Sequence, residues 1–519
     1  MNRSASLQQL QTQTFDVCII GGGATGAGCA LDATLRGLTV CLVEKDDFAA
    51  QTSSKSTKLI HGGVRYLEQA VKKLSQEQFA MVRKALHERR TLLEIAPHLT
   101  RPLPLLTPCK NWIEGLYYSI GLTLYDWLAG SRNIKPSRWL SHRQVLETIP
   151  QLQHDKFHSG VLYYDGQLDD ARFCLALVKS AAQEGATVLN HTEALRFGKS
   201  KSDKLKSLTI KDTLSGQEHT IQAKVFVNAT GPFADHVRQM ANPKLRPRLQ
   251  VSRGSHIVLA KKHLPGNTAI LVPKTDDGRV LFLIPWQDQV LVGTTDLEDD
   301  LSENPHPADA EIQYLVDYVN RYLATPITVS ELMAGFTGQR PLLQATFTKD
   351  TKSIVRDHEV ETDDKSKLIS IMGGKWTTYR LMARDTINAV YEVLKQPLVR
   401  SSTEKYVLVG GKGYTPALAG EIQKMYGLEA DISRHLTLKY GDEAVYIAKL
   451  CQQQPSLKAR LSPTHPFIEA EAVFTIRQEM ACTANDILYR RLGLGLIDAQ
   501  ATLLAQPKIN QLLQAEGLT

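Results

Sequence analysis

Neither a Cys-x-x-Cys pair nor a cysteine–histidine cluster with ligand spacing occurs in this 519-residue chain, and its seven cysteines (Cys18, Cys29, Cys41, Cys109, Cys174, Cys451 and Cys482) are scattered. That pattern argues against a disulfide framework and against a zinc or iron–sulfur site, and it fits a reducing compartment. Long uncharged apolar runs are missing too. The most apolar stretch, Trp112 to Ala129, contains Glu114 and Asp126, so no membrane-spanning helix is expected. Met1 to Thr14 is polar and lacks the apolar centre of a secretory signal, which places the expected protein on the cytoplasmic side. Internal repeats and low-complexity tracts are absent. Hydrophobic residues make up 43% and charged residues 22%, ordinary values for a globular enzyme, so long disordered stretches are not expected. Lys and Arg number 61 against 54 Asp and Glu. The mild surplus fits an anionic substrate, an anionic membrane surface or no particular partner, and the dispersed basic residues form no nucleic-acid reading module.

What is present starts with glycine. Phe15 to Ile20 reads as a short buried strand, Ala27 to Leu35 as a helix with one apolar face, and Leu38 to Val43 as a second strand ending on Glu44. Between the first strand and the helix lies Gly21-Gly22-Gly23-Ala24-Thr25-Gly26. In this setting Gly21 permits the tight turn, Gly23 lets the backbone approach a pyrophosphate, and Gly26 allows close helix–strand packing. Ala24 and Thr25 open the helix, whose N-terminal N–H groups face the anion. Glu44 can accept both ribose hydroxyls of an adenosine and would repel a 2′-phosphate. The fingerprint alone leaves FAD and NAD open.

Downstream, the loop 47–58 is crowded with small hydroxyls, among them Ser53, Ser54 and Thr57, which suit phosphate or flavin contacts. A helical region from Lys72 to Ile95 ends before Pro97, and Pro102, Pro104 and Pro108 follow. Gln167-Leu168-Asp169-Asp170-Ala171-Arg172 caps a helix running to about Glu184, ahead of a strand from Thr187 to Asn190. A further strand, Lys224 to Val227, leads into Asn228-Ala229-Thr230-Gly231-Pro232. From Val251 to Asp296 the periods become short and strand-like, predicting an antiparallel sheet that roofs a substrate pocket. The region after Ser401 is helix-rich, with helices predicted at Glu469 to Glu479 and Asp486 to Leu492; Arg490 and Arg491 read either as domain contacts or as solvated charge.

Trp112, Tyr117, Tyr118, Tyr125, Trp127 and Trp139, flanked by Lys110, Arg132, Lys135 and Arg138, form an aromatic segment with basic edges. Such a helix either lies in lipid headgroups or packs its aromatics into its own protein.

Six segments in order carry a resemblance: Ser56-Thr57-Lys58-Leu59-Ile60-His61-Gly62-Gly63-Val64-Arg65-Tyr66-Leu67, Asn228-Ala229-Thr230-Gly231-Pro232, Gly254-Ser255-His256-Ile257-Val258, Gly293-Thr294-Thr295-Asp296, Arg340-Pro341-Leu342, and Gly373-Gly374-Lys375-Trp376-Thr377-Thr378-Tyr379-Arg380. Nearly the whole chain resembles the FAD-dependent glycerol-3-phosphate dehydrogenases of the amine and amino-acid oxidase flavoprotein superfamily. The resemblance implies an α/β fold: a Rossmann-like FAD-binding domain (1–96, 155–250 and 335–398), an antiparallel-sheet substrate domain (97–154 and 251–334) and a C-terminal helical domain (399–519). It implies FAD, with Gly21, Gly23, Gly26, Glu44, the Ser53 to Lys58 loop, His61, Gly62 and Gly231 lining one cleft and Gly374, Lys375 and Thr377 reaching the flavin end. It further implies oxidation of sn-glycerol 3-phosphate to dihydroxyacetone phosphate. The dianionic phosphate needs cations, and Arg65, Arg340 and Lys375 are the preferred set, with Tyr66 beside them and Arg356 as a second choice next to Asp357. His256 is the candidate base and His61 a flavin-side residue. Membrane quinone is the expected electron acceptor, with peripheral attachment to the cytoplasmic face of the cell membrane; oxygen as acceptor, or a non-catalytic FAD-binding scaffold, are the alternatives. A homodimer is compatible with this reading.

Overall fold

The computed structural model describes residues 1–63, 67, 75–344 and 358–518. Arg65, Tyr66 and Arg356 lie outside the described residues. The first sheet runs in the order His358–Thr362, Ile369–Gly373, Glu218–Asn228, Thr14–Ile20, Val40–Val43, Thr187–Leu189, with pairings that are parallel except for that of the first two, and Leu205–Asp212 and Thr192–Lys199 extend it as an antiparallel flap paired to Glu218–Asn228. Val40–Val43 is buried along its whole length, as a strand covered on both faces requires. Helices Ala24–Leu35 and Tyr379–Leu394 pack together on one side, and Asp170–Gln183 also contacts the first of them. The expected Asp169 cap is present, its carboxylate accepting the Arg172 N–H.

Strand Thr14–Ile20 lies between Val40–Val43 and Glu218–Asn228, so the chain leaves it toward opposite sides of the sheet. At such a switch point the loops at the carboxyl ends of neighbouring parallel strands diverge and leave a crevice. Gly21, Glu44 and Ala229 follow these three strand ends. The cleft is therefore a consequence of strand order.

The second sheet is larger. Its order is Leu297–Glu298, Leu249–Ala260, Gln289–Gly293, Leu281–Trp286, Ala269–Val272, Thr100–Cys109, Ser159–Leu168, Leu59–Ile60, with Leu332–Leu343 also paired to Leu249–Ala260 and Arg138–Ser141 to Ser159–Leu168. It is antiparallel except where Ala269–Val272 meets Thr100–Cys109. Three expected boundaries change here. Ser159–Leu168 pairs along its length with Thr100–Cys109, Leu332–Leu343 with Leu249–Ala260, and Leu59–Ile60 with the end of Ser159–Leu168, so all three belong to this sheet rather than to the nucleotide domain. An apolar strand pattern reports burial but not which sheet supplies the partner.

The C-terminal unit packs helices Leu418–Tyr426, Ala430–Tyr440, Ala444–Gln453 and Glu469–Glu479 around Ile422, Ile432, Leu436, Ile447 and Phe474. Its last helix, Ala499–Ala515, also joins a core shared with the second sheet through Phe336 and Trp286. The helix expected at Asp486 to Leu492 is instead a π-helical turn, Asp486–Arg491. All seven cysteines are free thiols.

The aromatic segment forms one helix, Trp112–Ala129. Leu122, Tyr125 and Ala129 face inward, whereas Trp112 is 68% exposed, Ile120 65% and Trp127 79%, joined outside by Ile113, Leu116 and Tyr117. Among the described residues no helix is long and apolar enough to cross a membrane.

Candidate active site: two cavities beside one strand

A cavity of about 400 Å³ opens at the switch point. Gly21, Gly23, Ala24, Thr25, Glu44, Ser53, Ala229, Thr230, Gly231, Gly374 and Lys375 line it, so nine of the cofactor positions expected from the sequence converge there. Gly21 has a φ of +109°, and a Cβ on Gly26 would stand 1.9 Å from the Gly21 carbonyl oxygen. Both glycines are thus required by local geometry, one for the turn and one for the approach of helix to strand. The helix Ala24–Leu35 begins at Gly23 with no side-chain cap and no acid in its first turn. That end is suited to an anion.

Glu44 accepts the Gly22 N–H at 2.6 Å and the Asp46 N–H at 3.0 Å. Burial pushes its carboxyl up to about 7, against the lowering effect of those two N–H groups. Two hydroxyls donating from a ribose would relieve part of that penalty, which matches the residue to an adenosine. The open cradle of Gly23, the uncapped helix end and the under-solvated Glu44 fit a dinucleotide cofactor. Ser53 supports the turn by accepting the Ala24 N–H at 2.9 Å, and the Trp376 indole donates to the Ser53 carbonyl at 3.0 Å.

A second cavity, about 230 Å³, is lined by Thr57, His61, Tyr118, Arg279, Phe282, Asp296 and Arg340, among others. Arg340 faces it while the next residue, Pro341, faces the first cavity, so strand Leu332–Leu343 carries its alternating side chains into both. Arg340 is held by the Thr294 hydroxyl at 3.0 Å, the Thr295 carbonyl at 3.2 Å and Asp296 at 3.3 Å. Gly254 makes room for it, since a Cβ there would come within 2.1 Å of the guanidinium.

Other expected residues fall elsewhere. Lys375 lines the first cavity and not the second, so it and Arg340 face different spaces. His256 lines neither. It is buried, stacked on Phe336 at 4.9 Å between ring centroids, and reaches the second cavity through Thr57, whose hydroxyl lies 3.0 Å from Nε2. Burial first, then the Arg340 guanidinium and the Lys58 ammonium, hold its imidazole well below the usual range and therefore neutral. His256 has no face on either cavity and communicates with the second only through the Thr57 hydroxyl. His61 does line the cavity, its backbone N–H donating to Thr377 Oγ1 at 3.3 Å. Ser54 and Gly62 line neither cavity: the Ser54 carbonyl accepts the buried Lys58 ammonium at 2.6 Å, and the Gly62 N–H donates to the Tyr125 hydroxyl at 2.6 Å.

Sequence reasoning quoted Asp296 and Trp376 in motifs and Tyr118 in the aromatic segment but gave none of them, nor Arg279, a site role. Asp296 closes a strand-end motif beside glycine, a legible signal; Arg279 follows an Asp-Asp-Gly turn and carried none. His191, Cys482 and Asp486 place ligand-type atoms within 4.8 Å of one another. The Asp486 carboxylate already accepts from His191, Thr483 and Arg490, so the group is an ion-pair cluster.

A family profile described as FAD dependent oxidoreductase matches residues 16–380, and one described as the C-terminal domain of alpha-glycerophosphate oxidase matches 401–517. The mitochondrial glycerol-3-phosphate dehydrogenase of Homo sapiens is 44% identical over 99% of this chain and 72% of its own length, and that of Arabidopsis thaliana 40% identical over 99% and 84%. Among solved structures, the glycerol-3-phosphate dehydrogenase of Bacillus halodurans, complexed with FAD, superposes with a TM-score of 0.80 at 27% identity over 99% of this chain and 93% of that one. The L-alpha-glycerophosphate oxidase of Mycoplasma pneumoniae shares the fold, with a TM-score of 0.58 at 18% identity over 76% and 99%.

Proposed function

The chain belongs to the FAD-dependent oxidoreductases and, within them, to the glycerol-3-phosphate dehydrogenases, and from that premise we propose that it oxidises sn-glycerol 3-phosphate to dihydroxyacetone phosphate and passes the electrons to a membrane quinone. The observation carrying this reading is the placement of Arg340 and His61 on one small cavity that shares a strand with the cofactor cleft. Gly21, Gly23, Ala24 and Thr25 would hold the pyrophosphate of FAD, Glu44 its ribose, and Gly374, Lys375 and Trp376 its other end. When bound, FAD accepts a hydride from the central carbon of the substrate.

The protein's own part is binding and proton handling. Arg340 offers a planar fork of donors, fixed on one side by Asp296 and Thr294, to the phosphate oxygens. An imidazole nitrogen of His61 takes the proton of the central hydroxyl as the hydride leaves. His256 fixes the Thr57 hydroxyl at the cavity wall. Lys375 supplies positive charge at the flavin end. Arg65, Tyr66 and Arg356 belong to the phosphate pocket by resemblance alone. Mixing the holoprotein anaerobically with sn-glycerol 3-phosphate should bleach the yellow flavin absorbance; persistent colour would sink the assignment.

Quinone as acceptor and attachment to the cytoplasmic face of the membrane rest on a separate feature, the exposed aromatic face of Trp112–Ala129. Tyr118 and Leu122 of this same helix line the second cavity, so a lipid-soluble acceptor could approach beside it. Trp112→Ser with Trp127→Ser should lower binding to anionic liposomes, and unchanged binding would remove this part of the reading. Reoxidation by oxygen as fast as by quinone would favour an oxidase.

A further inference from the structure

A buried carboxylate, Asp47, links the C-terminal unit to the loop beside the cofactor cleft. Asp47 lies in the loop between Glu44 and Ser53, is fully buried, and accepts both Nη groups of Arg491 at 2.6 and 2.9 Å, Nε of Arg490 at 3.0 Å and the Asn190 amide at 3.0 Å. Two consecutive arginines reach one carboxylate because the segment Asp486–Arg491 is wound as a π-helical turn. Single π turns of this kind recur at functional sites.

Each arginine is tied back to its own unit. Arg491 also donates to the Glu479 carbonyl at 2.9 Å, and Arg490 to Asp486 at 2.8 Å. Glu479 in turn accepts both Nη groups of Arg172 at 2.6 and 2.8 Å and Lys179 at 3.0 Å, so the clasp closes on helix Asp170–Gln183 as well. On its inner side the same loop contributes Glu44, Lys45, Asp46, Ala50, Gln51, Thr52 and Ser53 to the 400 Å³ cavity. Its path is strained: Ala49 has a φ of +62°, a conformation that persists in a non-glycine residue only where surrounding contacts over-determine it.

We propose that Arg490 and Arg491 are positioning residues for the cofactor: by fixing Asp47 they hold the loop that forms the adenosine end of the cleft, and the C-terminal unit thereby sets the affinity of the protein for FAD. The inference rests on the FAD reading of the cleft and adds to it that a loop of the cleft is fixed by a side chain 443 positions away, the separation of Asp47 and Arg490. The bidentate geometry makes Arg491 the stronger element. Lysine at that position keeps the charge and loses the fork.

The test uses full-length protein stripped of flavin and titrated with FAD, read by flavin fluorescence, alongside thermal melts with and without FAD. Arg491→Lys should raise the dissociation constant roughly tenfold, the scale of a typical coupling between distant sites, and shrink the FAD-induced rise in melting temperature. Arg490→Gln, at a residue only partly buried, should do the same more weakly and serves if Arg491→Lys fails to fold. Arg143→Gln, at an exposed pair with Glu147, should leave both readouts unchanged. Variants that melt earlier yet bind FAD as tightly as the wild type, with the same FAD-induced increment, would make the clasp purely structural and overturn the proposal. Wild-type protein that takes up no FAD would overturn the cofactor reading itself.

Discussion

The two cavities differ in what they are made of. The first is organised at the switch point by main chain, that is glycine turns, a helix end and strand termini, with the charged side chains Glu44, Lys45, Asp46, Glu193, Glu303 and Lys375 also on its wall. The second is walled by side chains brought from remote strands and one helix: Thr57, His61, Tyr118, Arg279, Asp296 and Arg340. Backbone cradles bind what all dinucleotides share, the pyrophosphate and ribose, whereas specificity for one small anion needs charged groups at fixed distances. A site built from backbone tolerates many side chains and few changes at glycine; a site built from side chains shows the reverse.

Substitutions can break this contrast in order of severity. The largest effect belongs to Gly26→Val, whose side chain would start 1.9 Å from the Gly21 carbonyl oxygen; the protein should be insoluble or flavin-free, with a destabilisation on the order of 4 kcal/mol or more. A soluble, flavin-loaded Gly26→Val would show that the cradle is not backbone-limited. Next, Arg340→Ala should raise KM for glycerol 3-phosphate roughly 100-fold, about 3 kcal/mol, with flavin content near normal. Loss of flavin instead would merge the two cavities into one functional unit. Third, His61→Asn should slow anaerobic flavin reduction by about 100-fold, and His256→Asn should slow it less, because His256 acts through Thr57. Equal losses would return the base to His256.

The smallest effect is a pH dependence at Glu44. Its carboxyl is raised to about 7, so the folded apoprotein keeps a proton that the unfolded chain releases near the ordinary carboxylate value. Its contribution to stability is present at low pH and is lost as pH rises through 7. FAD, donating ribose hydroxyls, prefers the ionised form, so its affinity should increase between pH 6 and 8, by at most about tenfold per unit. Glu44→Gln should abolish that slope, and titrations of apoprotein at several pH values would detect it.

Legibility followed the same division. Gly21, Gly23, Gly26 and Glu44 were readable because their roles are local: a turn, an approach and an acid at a strand end lie within one βαβ unit. Arg340 was readable as a residue but not as a neighbour of Arg279, which no nearby pattern marks. His256 and His61 looked alike in sequence, each embedded in a motif, and only packing separated them, since one is stacked behind Thr57 and the other faces the cavity. The strand Ser159–Leu168 falls in the range expected for the FAD-binding domain yet pairs with Thr100–Cys109 of the second sheet, because a domain range read from motifs does not name a strand's partner. Arg490 and Arg491 left two readings open, and the structure places Arg491 among the fully buried residues.

By itself, the chain's order of residues determined the nucleotide unit, the acid at the end of its second strand, the aromatic helix and the helical character of the last hundred or so positions, because each depends on neighbours within a few turns or strands. Tertiary structure alone decided which strand joins which sheet, which histidine lines the second cavity, and that two arginines near the end of the chain grip a loop near its start. Those outcomes depend on contacts between segments far apart in sequence, and such contacts are fixed by how whole layers pack rather than by any local periodicity.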